Sequence, residues 1–391
     1  MTGRASNVLA LNSGSSSLKA GLYRVDAAAT KRLLSAEAEA IGSGDGQFHA
    51  YDEHGDKLAG ESCSISSQDD ALECIKALFG RVGTPAPDII GHRVVHGGPK
   101  LRQHCLIDDR VLRELQTATA FAPLHIPSAL AVIGFAREHF PSLPQAACFD
   151  TAFHAGMPDV ARVLALPREF ERQGIQRYGF HGLSCESILH QLGPDAPPRL
   201  IIAHLGNGAS VTAVKDGKSI DTSMGLTPTG GLIMSTRSGD LDPGVLVYLA
   251  REKKFDAAML EELVDRRAGM LGISGVASDM RRLHEAAPSN DDATLAIAMF
   301  CYSVRKQLAA MAAALAGVDM IVFTAGIGEK DAQVRATICA GLSWMGVVVD
   351  DAANLAMRDP ISTPTSRCTV RVLASQEDEQ IARHSWELVH R

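Results

Sequence analysis

At 391 residues, 46% of them hydrophobic and 21% charged, the chain has room for two or three domains and the balance of a soluble globular protein. A net charge of −7 argues against broad nucleic-acid binding, which needs a basic face. The eight cysteines are scattered with no C-x-x-C pair, so reduced thiols in a cytoplasmic protein are expected and a zinc site is not indicated.

The first seven residues run into an apolar strand with no apolar signal region. Val8-Leu9-Ala10-Leu11-Asn12 reads as that strand, Ser13-Gly14-Ser15-Ser16-Ser17 as a small polar turn, and Leu18 to Tyr23 as the returning strand. Gly42-Ser43-Gly44-Asp45-Gly46 is a turn cluster. Helical spacing appears over Asp70 to Phe79, Arg110 to Ala120 and Pro127 to Glu138. Between them, Asp88 to His96 reads as a strand running into Gly97-Gly98. His92 and His96 are four apart, but the extended residues between them do not set both rings on one helical face. Gln145 to Thr151 is a short buried strand that ends in the carboxylate Asp150, where catalytic carboxylates sit in open α/β sheets.

The second half repeats the opening. Leu200 to Lys215 is an apolar strand, the turn Gly206-Asn207-Gly208, and a β-branched return. A side-chain-poor turn at a strand end lets backbone N–H groups close on a phosphate. Two such hairpins half a chain apart predict a duplicated α/β fold. Helices are expected at Val245 to Arg251, Asp256 to Arg266 and Asp291 to Leu315. The low-charge run Leu308 to Gly328 is broken by Asp319 and reads as a buried helix feeding a buried strand, not a membrane span. The strand Met320 to Phe323 enters a glycine turn, Thr324 to Glu329, and a helix starts near Asp331, an arrangement that binds nucleotides at strand ends. Cys368 to Leu373 is a last strand and Glu379 to His390 a closing helix.

Common nucleotide motifs are absent. Gly217-Lys218-Ser219 imitates a Walker A tail, but its first glycine position is Thr212. Gly326-Ile327-Gly328 begins a dinucleotide fingerprint that fails at Asp331.

Ordered blocks along nearly the whole chain resemble acetate kinases. They are Asn12-Ser13-Gly14-Ser15-Ser16-Ser17-Leu18-Lys19, Arg93-Val94-Val95-His96-Gly97-Gly98, Ala122-Pro123-Leu124-His125, Phe149-Asp150-Thr151-Ala152-Phe153-His154 and Tyr178-Gly179-Phe180-His181-Gly182. His204-Leu205-Gly206-Asn207-Gly208-Ala209-Ser210, Asp221-Thr222-Ser223-Met224-Gly225, Thr236-Arg237-Ser238-Gly239-Asp240 and Phe323-Thr324-Ala325-Gly326-Ile327-Gly328-Glu329 follow. The resemblance implies two duplicated actin-like (ribonuclease H-like) α/β domains around an ATP cleft, in a homodimer. The domains would be 1–150, with the helix 379–391 packing back on it, and 151–378. The implied reaction is reversible, Mg2+-dependent phosphoryl transfer from ATP to acetate, and to propionate as well, giving ADP and an acyl phosphate. Mn2+ would substitute for Mg2+, and neither nucleic acid nor membrane is expected as a partner.

The same resemblance distributes the roles. Arg93 would hold the acceptor carboxylate and Arg237 the transferring phosphoryl oxygens. His181 would donate to the γ-phosphoryl, with His125 and His204 supporting phosphate binding. Asp150 would position the arginines or the magnesium shell, and Asn12 and Glu377 would sit at the metal. Val95, Leu124, Phe180 and Pro228 would form the acyl pocket. ATP would meet Ser15, Ser17, Lys19, Leu205, Gly206, Asn207, Gly208, Asp279, Met280, Arg281, Gly326, Ile327, Gly328, Glu329 and Lys330. The chain departs from the family pattern at Ile126, Cys185, Leu226 to Gly231 and Lys330, where residues behind the acyl pocket and at the nucleoside edge change. A wider acyl site is one expectation from this. Another short-chain carboxylate as main substrate, a hydroxyl acceptor with Asp150 as base, and an ATP-gated module without acceptor are the alternatives.

Overall fold

The computed structural model describes residues 4–14, 17–39, 41, 46–61, 65–81, 85–123 and 125–391. Ser15, Leu124 and all but the last residue of the expected turn cluster at 42–46 lie outside them. The chain divides into two compact units. The first is Met1–Ala155, Gly182–Ser187 and Gln376–Arg391, and the second is Gly156–His181 and Ile188–Ser375.

The first unit is built on β1 (Ser6–Ser13), β2 (Leu18–Val25), β3 (Thr30–Glu39), β4 (Gln47–Asp52), β5 (Lys57–Glu61), β6 (Ile89–Val94), β7 (Cys105–Leu106) and β8 (Gln145–Phe149). They form one sheet in the order β5-β4-β3-β2-β1-β6-β8-β7. β1 pairs antiparallel with β2 and parallel with β6, which pairs parallel with β8. The apolar run of β1 is explained by burial on both faces. Leu9 and Leu11 pack with Leu72, Ile75 and Val132 from the helices Gln68–Arg81 and Ile126–His139. Val8 and Ala10 pack on the opposite face with Ile381 and Ala382 of the C-terminal helix Glu377–His390. Burying each Val, Leu or Ile side chain contributes about 1.5–3 kcal/mol. Gly91 lets that helix come close, since a Cβ there would stand 2.2 Å from Ser385 Oγ and 2.7 Å from Ile381 Cγ2.

The second unit holds β9 (Arg199–Leu205), β10 (Ala209–Lys215), β11 (Lys218–Thr222), β12 (Met320–Thr324) and β13 (Thr369–Val372). Their order is β11-β10-β9-β12-β13, with β9, β10 and β11 antiparallel and β12 and β13 parallel to β9. The same arrangement is found in β3-β2-β1-β6-β8. Each unit is therefore a copy of one α/β design, the duplicated actin-like fold. Both copies carry a glycine turn between their first two strands.

Three local expectations change in the structure. The glycine segment after β12 is a short helix, Ala325–Lys330, entered through Ala325 at φ 65° and followed by the helix Ala332–Ala340 with Asp331 as its N-cap. The expected helix at 256–266 is α-helical over Ala257–Glu262 and then widens into a π turn, Leu263–Arg267. The C-terminal helix starts at Glu377, which places Glu377 and Asp378 in its first turn, where the helix dipole favours negative charge. Among the described residues, no helix is long and apolar enough to cross a membrane.

Candidate active site

In the first unit, the ends of β1, β6 and β8 and the start of the C-terminal helix supply one polar relay. Asp150 follows β8 and is 1% exposed. Its Oδ2 accepts from Arg93 Nε at 3.0 Å and from Arg93 Nη2 at 2.6 Å. Arg93 Nη1 donates to Asn12 Oδ1 at 3.3 Å. Asn12 Nδ2 donates in turn to Asp378 Oδ1 at 2.8 Å and stands 3.5 Å from Glu377 Oε2. Burial pushes the Asp150 carboxyl up to about 6, with Arg93 pulling it down and Glu377 pushing it further up. Burial also opposes the Arg93 charge, but Asp150 and Glu377 outweigh it and hold the guanidinium protonated. Burial raises Asp378 against the Asn12 hydrogen bond, and Glu377 adds to the rise.

The relay therefore carries an excess of carboxylate over guanidinium. The second oxygen of Asp150, Oδ1, is buried and has no hydrogen-bond partner. A buried acceptor left open beside an amide oxygen and two further carboxylates is a donor set that suits a hard divalent cation such as Mg2+. Asp378 was not singled out from the sequence, although it stands next to Glu377.

Other expected residues of this unit lie around the relay. The first glycine turn closes through Gly14 N–H to Ser17 O at 2.8 Å. Lys19 faces Asn12 across the β1–β2 ladder, but its Nζ pairs with Glu37 Oε1 at 3.0 Å. Val95 is buried just past β6. His125 is half-buried and occupies the N-cap position of the helix Ile126–His139.

In the second unit, the turn between β9 and β10 lies against two side-chain nitrogen tips. A Cβ on Gly208 would stand 3.2 Å from His181 Nε2 and 3.3 Å from Arg237 Nη1, so glycine is what lets both tips approach the turn. His181 adopts a left-handed backbone, φ 58°. Its Nδ1 meets Ser210 Oγ at 2.9 Å, and its ring stacks on His204 with centroids 4.0 Å apart. A Ser210 hydroxyl that donates to Nδ1 leaves Nε2 as the N–H donor. Arg237 is half-buried, and its Nη1 donates to Pro228 O at 3.3 Å. Pro228 and Phe180 are buried.

A cavity of about 830 Å³ opens beside this turn, large enough for a nucleoside. Gly206, Asn207, Asp279, Met280 and Arg281 line it, as do Gly326, Ile327 and Lys330. The sequence did not single out Ser235, His284, Asp331 or Leu355, which also line it. Asp331 was legible as the N-cap of an apolar-periodic segment, but its pairing with His284 Nε2 at 2.9 Å was not. Five expected residues of this unit lie off this wall, Gly208 among them at the turn itself. Leu205 and Gly328 are buried, and His204 stacks on His181. Glu329 Oε1 accepts from the backbone N–H groups of Ala325 and Ser375, each at 2.9 Å, so it shapes the wall from behind. Arg335, fully buried, does the same. Its Nη1 donates to Gly328 O at 3.0 Å and Glu329 O at 2.8 Å, and its Nε donates to Asn354 Oδ1 at 2.8 Å.

A family model described as the acetokinase family matches residues 7–383. The acetate kinase of Methylocella silvestris is 42% identical over 98% of either chain. That of Campylobacter lari is 39% identical, over 98% of this chain and 99% of its own. A solved propionate kinase from Francisella tularensis has a TM-score of 0.90 at 36% identity, covering 98% of this chain and 100% of its own. Porphyromonas gingivalis acetate kinase has a TM-score of 0.86 at 36% identity, with the same coverage.

Proposed function

The chain belongs to the acetokinase family, and we propose on that premise that it transfers the γ-phosphoryl of ATP directly and reversibly to acetate, giving acetyl phosphate and ADP. The observation that carries this reading is the Asp150–Arg93–Asn12 relay. A carboxylic acid with a pKa of about 4 to 5 is already ionised at neutral pH, so the nucleophile needs no general base. It needs charge neutralisation and alignment, which is most of what phosphoryl transfer requires.

Arg93 is held by Asp150 through two of its donors and by Asn12 through a third, which leaves one N–H on each Nη for the acceptor carboxylate. His181 Nε2 and Arg237, converging on Gly208, donate to the transferring phosphoryl oxygens. Backbone around Gly206 to Gly208 receives the remaining phosphates, and the cavity beside it takes the nucleoside. Asp150, Asn12 and Glu377, joined by Asp378, would hold Mg2+, which when bound neutralises phosphate charge; Mn2+ would substitute. Exposed apolar residues support a homodimer, namely the stripe Leu295, Met299 and Tyr302 on the helix Asp291–Ala314 and the pair Val245 and Tyr248 on the helix Pro243–Glu252. We place the protein in the cytoplasm.

Propionate as the preferred acid is the second reading, favoured by the likeness to the Francisella tularensis propionate kinase. The deciding experiment is Mg2+- and ATP-dependent acyl hydroxamate formation from acetate, propionate and butyrate at equal concentration. Hydroxamate from acetate or propionate is expected, and the ranking separates the two readings. ADP release with no hydroxamate from any acid would overturn both.

A further inference from the structure

A second polar cluster of the first unit lies against the strand end that carries Asp150. His104 Nδ1 accepts the backbone N–H of Phe149, the residue before Asp150, at 3.0 Å. An imidazole that accepts through Nδ1 carries its proton on Nε2. That Nε2 is buried, makes no hydrogen bond of good geometry, and lies at an ion-pair distance of 3.4 Å from Glu186 Oε2. The same carboxylate oxygen meets His384 Nε2 at 2.9 Å, and the two imidazole rings lie 4.0 Å apart, centroid to centroid. Against the burial that pushes a carboxyl up, the contacts with His104 and His384 hold Glu186 down at about 2.

Two histidines and a glutamate with ligand atoms within 4.8 Å of one another have the composition of a transition-metal site. The Phe149 hydrogen bond argues against that use. A protonated Nε2 has no lone pair to give, and moving its proton to Nδ1 would set it against the Phe149 N–H.

We propose that Glu186 is a positioning residue for Asp150, bracing through His104 and His384 the backbone that presents the carboxylate to Arg93. The elements it joins are those that hold Asp150. His104 grips the N–H of Phe149. Glu186 lies one turn into the helix Gly182–Leu192, whose first N–H, from Gly182, donates to Asp150 O at 2.9 Å. That approach is close, since a Cβ on Gly182 would stand 2.3 Å from the Asp150 oxygen. His384 belongs to the C-terminal helix that starts with Glu377 and Asp378. One carboxylate oxygen thus ties together three segments that meet at the relay. A solvent-open cavity of about 320 Å³ adjoins the cluster, so rigidity there depends on these contacts more than on dense packing.

The inference rests on the proposed activity for its kinetic readout only. The test uses the full chain with Glu186→Gln and Glu186→Leu. Both histidine contacts are made to a single oxygen, so the glutamine variant retains them through its carbonyl, and the leucine variant fills the space and loses both. Expected for Glu186→Leu is a fall in kcat of about 10- to 100-fold, the scale of a misplaced catalytic group, with the KM for ATP within about twofold. The Phe149 and Gly182 amides should exchange at least about tenfold faster, as breaking a local brace predicts, with the other strands of the sheet unchanged. Glu186→Gln should stay within about threefold of wild type in kcat and keep native exchange. Wild-type kcat and Phe149 protection in Glu186→Leu would overturn the proposal. So would equal damage in both variants, or faster exchange spread over the whole sheet. If the wild type turns over no carboxylate, the activity reading fails, and the exchange data alone decide the brace.

Discussion

Arg93→Ala tests the relay at its centre. Arg93 donates to Asp150 Oδ2 at 3.0 and 2.6 Å and to Asn12 Oδ1 at 3.3 Å. A hydrogen bond to a charged group contributes about 1.5–3 kcal/mol, and removing one partner of a buried ion pair costs about 3–5 kcal/mol. Asp150 escapes part of that cost by taking up a proton. With Arg93 gone, burial and the Glu377 charge act unopposed on a carboxyl that already stands at about 6, and it becomes neutral near pH 7. The variant should therefore fold, melt several degrees lower, and lose roughly 10²- to 10⁵-fold in kcat, because both the cation and the Asp150 charge have gone. Arg93→Lys keeps a charge, but a point donor on a flexible stem cannot span the Asp150 and Asn12 oxygens, so it should recover only about tenfold of the loss. The assay is hydroxamate formation from acetate at saturating Mg2+-ATP, with melting curves for each variant. A folded Arg93→Ala protein that retains more than a tenth of wild-type turnover refutes the reasoning.

The remaining expectations address other parts of the chain. Burial lowers the buried His92 to about 4, against its hydrogen bond to Gln145. A histidine whose folded pKa lies below its unfolded value of about 6.5 stabilises fully above that value, and the contribution is lost as pH falls toward 4. Urea unfolding should show a loss of about 3 kcal/mol from this group over that window, and an unchanged slope in His92→Gln would contradict it. Gly208→Ala puts a methyl 3.2 Å from His181 Nε2 and 3.3 Å from Arg237 Nη1. The side-chain tips should give way, lowering kcat about tenfold with little change in melting temperature, and unaltered kcat would mean those tips do not meet the reacting phosphoryl. Arg335→Leu frees the carbonyls of Gly328 and Glu329 from their buried donor, so the KM for ATP should rise about tenfold with a smaller change in kcat. An ATP KM at the wild-type value would show that the cavity wall does not depend on that clamp.

The strands of both units that lead into the glycine turns are legible in the residues alone. Val8 to Leu11 and Leu200 to Ala203 are apolar without interruption, and glycine turns follow them closely, so local periodicity and turn chemistry were sufficient. The duplication was legible for the same reason, and so was the family, because its motifs are short runs of adjacent residues. Tertiary structure decided the partner of each polar group. Lys19 stands in a run expected from its resemblance to contact phosphate, yet it pairs with Glu37 on β3, a strand whose mixture of small and charged residues gives little apolar signal. Glu329 belongs to a glycine-rich run that reads as a turn, yet the run is a helix whose last carbonyls are held by Arg335 from the following helix. Nothing beside them in the sequence marks Asp378 and Glu186, yet Asn12 and His384 reach them from across the chain. Periodicity and turns are written within a few residues, whereas the partner of a buried charge is set by which segments the packed sheet and helices bring together.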